Sequence, residues 1–335
     1  MEDKLPVMLV NAKHARNIPG RKSDVSDAAW LAQLGAHGLL RASFIPPEPV
    51  RHLRDLTRAR STAARDRARI VQRLEKFRES SGITLSAVAT DLTGASARAM
   101  LQALVAGDRD PKTLADLAKR TLRHKTPVLI EALEGRFTEH HAFMVAQYLA
   151  QLDTQQATID ALTARIETVI AAFAPARDAL VTIPGISQTV ADVIIAETGA
   201  DMTVFPTAGH LASWAGVSPG MNESAGRVKS THTRHGNAHL KGALGVAAMS
   251  ASRTKNTYLA ARYRRIATRR GPVRAVVAIE RTILTAVWNM FTNGELYADL
   301  GGDYYTRRDP MRAKHNAIRQ REALGYQVTV QPVVA

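Results

Sequence analysis

Apolar positions along the 335-residue chain recur mostly at spacings of three and four, separated by glycine and proline. Residues 6–11 (PVMLVN) break that rhythm with a short unbroken apolar run, which predicts a buried strand. Gly20 and the segment 22–34 (KSDVSDAAWLAQL) predict a helix with a polar start. Residues 43–49 (SFIPPEP) cannot be helical throughout, because proline lacks an N–H and restricts the residue before it. From about Val50 to Glu79 a long helix is predicted, with Leu53, Leu56, Ile70, Leu74 and Phe77 as an intermittent apolar stripe. Several short helices punctuated by Gly94, Gly107, Pro111 and Pro127 fill residues 84–133.

A second long helix is predicted from about Thr138 to Phe173. Val145, Leu149, Leu152, Gln156, Ile159, Thr163, Ile166, Ile170 and Phe173 alternate spacings of four and three, a heptad seam with polar residues at two core positions. The seam predicts a coiled coil or helical hairpin, and through it a homo-oligomer. One helix of an ordinary bundle would carry the same stripe. Pro175 closes the element, and a helix-rich unit runs from near Leu180 to about Leu300, interrupted by a Gly-, Ser- and His-containing loop at 216–236. The last 35 residues are polar, with YYTRRDPMRAKHNAIRQRE predicting a basic helix. The fold class expected is mainly α with a partial α/β N-terminal part. Four segments are expected: 1–80, 81–178, 179–300 and 301–335.

Composition narrows the function classes. At 45% hydrophobic residues the chain can bury real cores. No stretch approaches the roughly 18 apolar residues of a membrane span, and no secretory signal is visible. Cysteine is absent, so disulfides and thiolate metal sites are excluded, and a cytoplasmic, nucleoid-associated location is expected. Charge changes the picture most. Lys and Arg total 45 against 30 acids, a net +15, which predicts a polyanionic partner. The first long helix carries ten Arg or Lys against three acids between Arg51 and Arg78. One side of it is expected to pack and another to lie against phosphates.

Three constellations could carry chemistry. Asp24 and Asp27 at a helix start put two carboxylates on one face, spaced to share Mg²⁺, although acids at such positions also serve as helix caps. Taken alone, the pair favours capping. LVTIPGISQTVADVIIAE (180–197) has an apolar–Pro184–Gly185–apolar turn between two helical patterns, the signature of a helix-hairpin-helix. Its turn would offer backbone N–H groups to a DNA phosphate, with Ser187 as N-cap. Between Trp214 and Leu244, Ser224 sits in a small-residue loop followed by Arg227, Lys229, Arg234, His235 and Lys241. A serine can attack a phosphodiester where cations stabilise the developing charge, though an isolated loop serine is usually a turn residue. Gly236-Asn237 opens a helix bearing Lys241, a further phosphate-binding N-terminus. His232, His235 and His239 read as solvated or phosphate-contacting residues more readily than as metal ligands.

In order along the chain, KSDVSDAAWLAQL (22–34), DLTGASARAMLQALVAGDRDPKTLADLAK (91–119), GRFTEHHAFMVAQYLAQLD (135–153), IPGISQTVADVIIAE (183–197), the stretch 205–244 and RRGPVRAVVAIERTILTAVWNMFTNGELY (269–297) resemble the IS-110 family of insertion-sequence transposases. The resemblance implies an RNase H-like (RuvC-like) N-terminal domain, a coiled coil and a C-terminal transposase domain. It also implies DNA and a structured guide RNA as partners. In that family four acids, D-E-D-D, bind Mg²⁺, and a C-terminal serine forms a phosphoserine link to DNA. The last two acids fall on Asp24 and Asp27, and the serine falls on Ser224, between Pro219 and Gly226. Ala225 stands where the family often has glycine. The family's first Asp and its Glu are expected upstream of residues 6–11, and neither Glu2 nor Asp3 matches their context. An N-terminally shortened metal domain is therefore expected. The alternatives are a non-catalytic nucleic-acid-binding remnant and a metal-only junction nuclease.

Overall fold

The computed structural model describes residues 8–10, 24–40, 42–220 and 222–331, with residues 24–27 and 222 described by backbone alone. It is mainly helical. By contacts the chain divides into two units, one from Leu53 to Ala172 and one joining the residues up to His52 with those from Phe173 onward.

Residues 6, 7 and 11 of the predicted strand lie outside the described residues, as do Gly20, Lys22 and Ser23. What is described is a single antiparallel bridge between Val10 and Ala42, with Ser43 N–H donating to Leu9 O at 2.7 Å. Helix α1 spans Asp24–Ala36 and stops before Gly38, whose φ of +67° no helix can continue. Helix α2, Glu48–Glu79, begins in the first unit and runs into the second.

Short helices make up the middle unit beyond α2. They are α3 (Leu85–Val88), α4 (Ala95–Ala106), α5 (Pro111–Asp116), a 3₁₀ turn (Arg120–Lys125), α6 (Thr126–Leu133) and the long α7 (Glu139–Ile170). Glycine and proline mark these boundaries as the sequence requires. Gly107 closes α4 in the left-handed region at φ 105°, and Pro111 and Pro127 open α5 and α6. Ile70, Leu74, Met100, Leu101, Leu104, Leu114, Leu129, Val145 and Leu149 meet in one core.

Two of the ten basic residues of α2 do not face solvent. Arg60 and Arg78 are buried. The Arg78 guanidinium donates to the Ile83 carbonyl and to Ser86 Oγ (2.7 Å), pinning the chain between α2 and α3. Burial holds its pKa below the ordinary arginine value, with Glu75 and Glu79 pulling the other way. The predicted seam of α7 also divides. Val145, Leu149 and Leu152 belong to the core, whereas Gln156 is exposed and Ile159 and Thr163 are half-buried.

The C-terminal part of the other unit contains α8 (Ala174–Val181), α9 (Gln188–Thr198), α10 (Ala208–Trp214), a hairpin of β1 (Asn222–Ser224) and β2 (Arg227–Ser230), α11 (Ala238–Arg253), α12 (Tyr258–Arg270), α13 (Pro272–Asn293), α14 (Tyr304–Arg308) and α15 (Pro310–Glu322). Helices α11 and α13 bury Leu240, Leu244, Ala247, Ala248, Ile279, Ile283 and Leu284. Phe44, from the proline-rich segment, joins this unit through edge contacts with Phe205 and Trp214 (5.7 and 6.3 Å between centroids).

Candidate functional site

The loop expected from Gly216 to Gly236 contains a β-ribbon. Its base is a backbone-on-backbone clasp between Gly216 and Gly236. A Cβ on Gly216 would lie 2.7 Å from Arg234 O and 2.9 Å from Gly236 Cα, so only hydrogen fits. One step out, Gly220 N–H donates to His232 O (3.0 Å) and Pro219 bridges Thr233. A Cβ on Gly220 would meet the same His232 oxygen at 2.5 Å. The pairing then shifts register between Asn222 and Glu223, leaving an extra residue on β2 between Val228 and Ser230.

At the tip Ser224 pairs with Arg227 across a two-residue turn. Ala225 (φ 51°) and Gly226 (φ 74°) both have positive φ, as a type I′ turn requires. The pair therefore shares one face of the ribbon, with Cβ atoms about 5 Å apart. Every residue from Glu223 to Lys229 is exposed. Ser224 is thus a hydroxyl at a solvent-facing turn with Arg227 as its cross-strand neighbour. Ala225 occupies the left-handed region at a cost of about 1–2 kcal/mol relative to glycine.

Arg234 and His235 are exposed further down the ribbon. Lys241 is not: it lies half-buried on α11, where its Nζ donates to Thr233 Oγ1 (3.4 Å). Burial raises the pKa of Glu280, and the charge of Lys241 opposes that rise, so part of the work of Lys241 is to face a buried carboxyl. The N-terminus of α11 is also occupied from within. Asn237 Oδ1 accepts from His239 N and Leu240 N (both 3.1 Å), and Asn237 Nδ2 donates to the buried Glu197 (2.7 Å). Those two backbone donors are therefore already engaged.

The turn from Ile183 to Ser187 joins α8 to α9. Ser187 is the N-cap, accepting from Val190 N at 3.4 Å, and is exposed with Gln188 and Thr189. Gly185 has φ 92°, and a Cβ there would lie 2.6 Å from Ala251 N on α11, so this glycine lets two backbones touch. Behind the turn Arg177 pairs with the fully buried Asp192 (2.8 Å). Sequence reasoning missed Asp192, Glu197 and the Gly216–Gly236 clasp. A polar residue on each apolar turn of VADVIIAE was the visible signal for the first two; nothing local marks the clasp.

Asp24 and Asp27 lie in the first turn of α1, three residues apart in helical backbone, and their side chains fall outside the described residues. Two hard oxygen donors on one helix face are the right chemistry for Mg²⁺, with further donors needed from elsewhere. Among the described residues no cluster of three His, Asp or Glu could hold a metal, and no helix is long and apolar enough to cross a membrane.

Comparison with known proteins adds three findings. Residues 177–264 match a family model described as "Transposase IS116/IS110/IS902 family". Residues 1–79 match a model of the DEDD type for the same elements, described as "Transposase". A Streptomyces coelicolor protein, "Insertion element IS110 uncharacterized 43.6 kDa protein", is 32% identical over 141 residues. That alignment covers 41% of this chain and 34% of the relative, so the chain spans about a third of that protein's length.

Proposed function

Because the chain belongs to the IS116/IS110/IS902 family of transposases, we propose that it catalyses DNA strand cleavage and exchange for an insertion sequence through Ser224. The observation that carries this reading is the exposed Ser224–Arg227 pair at the ribbon tip. In the first step the Ser224 Oγ lone pair forms a bond to a DNA phosphorus. The phosphorus–oxygen bond to one deoxyribose breaks, its electron pair leaving on the sugar oxygen. The serine proton is released to solvent, and the sugar oxygen takes one up. A hydroxyl of a second strand then attacks the phosphoserine and gives up its proton to solvent, while the P–Oγ bond breaks and Oγ takes up a proton as it leaves. Arg227 holds the phosphate oxygens by charge-assisted hydrogen bonds, with Lys229 and Arg234 along the backbone. Asp24 and Asp27 would hold Mg²⁺, which when bound supplies a Lewis acid for phosphate charge.

The N-terminal segment is read as the carboxy-proximal part of an RNase H-like domain. Helices α8 and α9 are read as a helix-hairpin-helix that meets DNA through Gly185, Ser187 and the exposed residues after it. Lys241 reaches the phosphate only from its Thr233-bonded position. Support for a guide RNA rests on the family and on the basic surface of α2; support for a coiled-coil oligomer rests on the exposed middle of α7. The expected setting is the cytoplasm, at the nucleoid.

The decisive experiment traps protein on a labelled element-end DNA under denaturing conditions. Wild type should give a covalent adduct that Ser224→Ala lacks while retaining DNA binding in a filter assay. An adduct that survives Ser224→Ala removes Ser224 from the reaction.

A further inference from the structure

We propose that residues 295–308 form a tyrosine-rich strap that covers the arginine helix α12 in place of single-stranded nucleic acid and is displaced when that nucleic acid binds. The proposal rests on nucleic acid being a ligand of this chain.

Helix α12 carries Arg262, Arg264, Arg265, Arg269 and Arg270 and no acid. The segment that returns to it after α13 brings Tyr297, Tyr304 and Tyr305, with Glu295, Asp299 and Asp303 set against Arg307 and Arg308. Asp303 is held by Arg307 within the segment (2.9 Å), which leaves Asp299 as the carboxylate that reaches α12. Three kinds of contact that the strap makes have counterparts in nucleic-acid recognition. Asp299 Oδ1 accepts from Tyr258 N–H, in the first turn of α12, at 2.9 Å, where a phosphate would be held. The Arg265 guanidinium lies over the Tyr305 ring, 4.4 Å from its centroid, as it would over a base. Arg262 Nη1 donates to the phenol oxygens of Tyr258 (3.2 Å) and Tyr305 (3.3 Å). Tyr305 stacks on Tyr258 (6.0 Å between centroids), as a base would, and Tyr304 meets both rings edge-on (5.0 and 5.1 Å).

The same contacts show why the strap can leave. Arg262 receives neutral phenols where a phosphate would offer charged oxygens, and charge-assisted bonds are about twice as strong. Its Nε is buried and finds no hydrogen-bond partner among the described residues. Residues 294–300 have no helix or strand of their own, and Leu296 and Leu300 are exposed. Few bonds from backbone donors fasten the strap to the rest of the unit: Gly302 N–H to Asn256 O (3.0 Å) and Tyr258 N–H to Asp299 Oδ1 (2.9 Å). Such segments open first.

The test is hydrogen exchange of the full chain, with and without a 20-residue oligo(dT), read by mass spectrometry. Peptides containing Gly301 and Gly302 should exchange faster in the complex while α12 becomes protected. Binding with unchanged or slower strap exchange overturns the proposal and leaves the functional reading standing. A charge-neutral variant, Tyr305→Ala, should bind oligo(dT) about fivefold more tightly, the effect of removing one cation–π competitor. Equal or weaker binding by Tyr305→Ala overturns the strap as competitor. If neither wild type nor variant binds oligo(dT) at low salt, nucleic-acid binding itself fails, and the strap proposal with it.

Discussion

Two turns in one unit, Ile183–Ser187 and Ser224–Arg227, look alike in sequence and differ completely in setting. Each is short, holds a glycine at positive φ (Gly185 at 92°, Gly226 at 74°) and stands beside residues suited to a phosphate. The first is sunk against α11, flanked by the buried Ile183 and Ile186, with two buried carboxylates behind it. The second stands in solvent, and a Cβ on Gly226 would meet nothing within 4 Å. Positive φ alone therefore says little about function. What occupies the space where a Cβ would sit separates a glycine that packs from one that only turns the chain.

That contrast is broken or sharpened most directly by paired alanine substitutions. Gly185→Ala adds both left-handed strain and a clash with the α11 backbone, which cannot yield as a side-chain tip can. A loss of about 3 kcal/mol or more is expected in urea unfolding. Gly226→Ala adds only the strain, about 1–2 kcal/mol, of which a stiffer unfolded chain returns about 0.5–1 kcal/mol. Equal losses would show that the two settings do not differ as described. Asp192→Ala comes next: it leaves Arg177 without its buried partner and should cost about 3–5 kcal/mol. A surface-like loss under 1 kcal/mol would mean that water reaches the pair.

Glu280 probes the base of the ribbon, since the charge of Lys241, which bonds Thr233 there, also acts on it. Its folded pKa is raised by burial, so its linked stability is full below the unfolded carboxylate pKa and is lost as pH rises through the folded value. Glu280→Gln should therefore melt near wild type at acid pH and above it at neutral pH. A melting difference that stays flat between pH 4 and pH 8 would show that Glu280 does not titrate differently on folding.

The sequence made the helix boundaries legible wherever Gly or Pro set them, as at Gly107, Pro111 and Pro127, and it placed Ser187 and Ser224 at turns. It did not reveal what the turns touch. Gly185 reads as a hairpin glycine from its neighbours, but its need arises from Ala247 and Ala251, some sixty residues on. Arg60 and Arg78 were counted with the phosphate-facing charge of α2 because burial of an arginine depends on partners elsewhere, here Ile83 and Ser86 for Arg78. Asn237 looked like an open helix start, yet its side chain caps that helix and donates to Glu197, forty residues away. Local chemistry fixed the elements, and long-range contacts decided which of their polar groups remain available.

The smallest effect tests the ribbon tip itself. Ala225 holds φ 51° directly after Ser224, in the first position of the turn. Replacing it with glycine relieves about 1–2 kcal/mol of left-handed strain. Glycine also makes the unfolded chain more flexible, which takes back about 0.5–1 kcal/mol. The difference leaves a net gain near 0.5 kcal/mol, or roughly 1–2 °C in melting temperature for a unit of this size. Ala225→Gly should therefore melt slightly above wild type, whereas Ala225→Val, whose branched side chain tolerates this region worst, should melt below it. If both variants melted below wild type, Ala225 would not hold positive φ in solution. The pairing of Ser224 with Arg227, which depends on that two-residue turn, would then have to be redrawn.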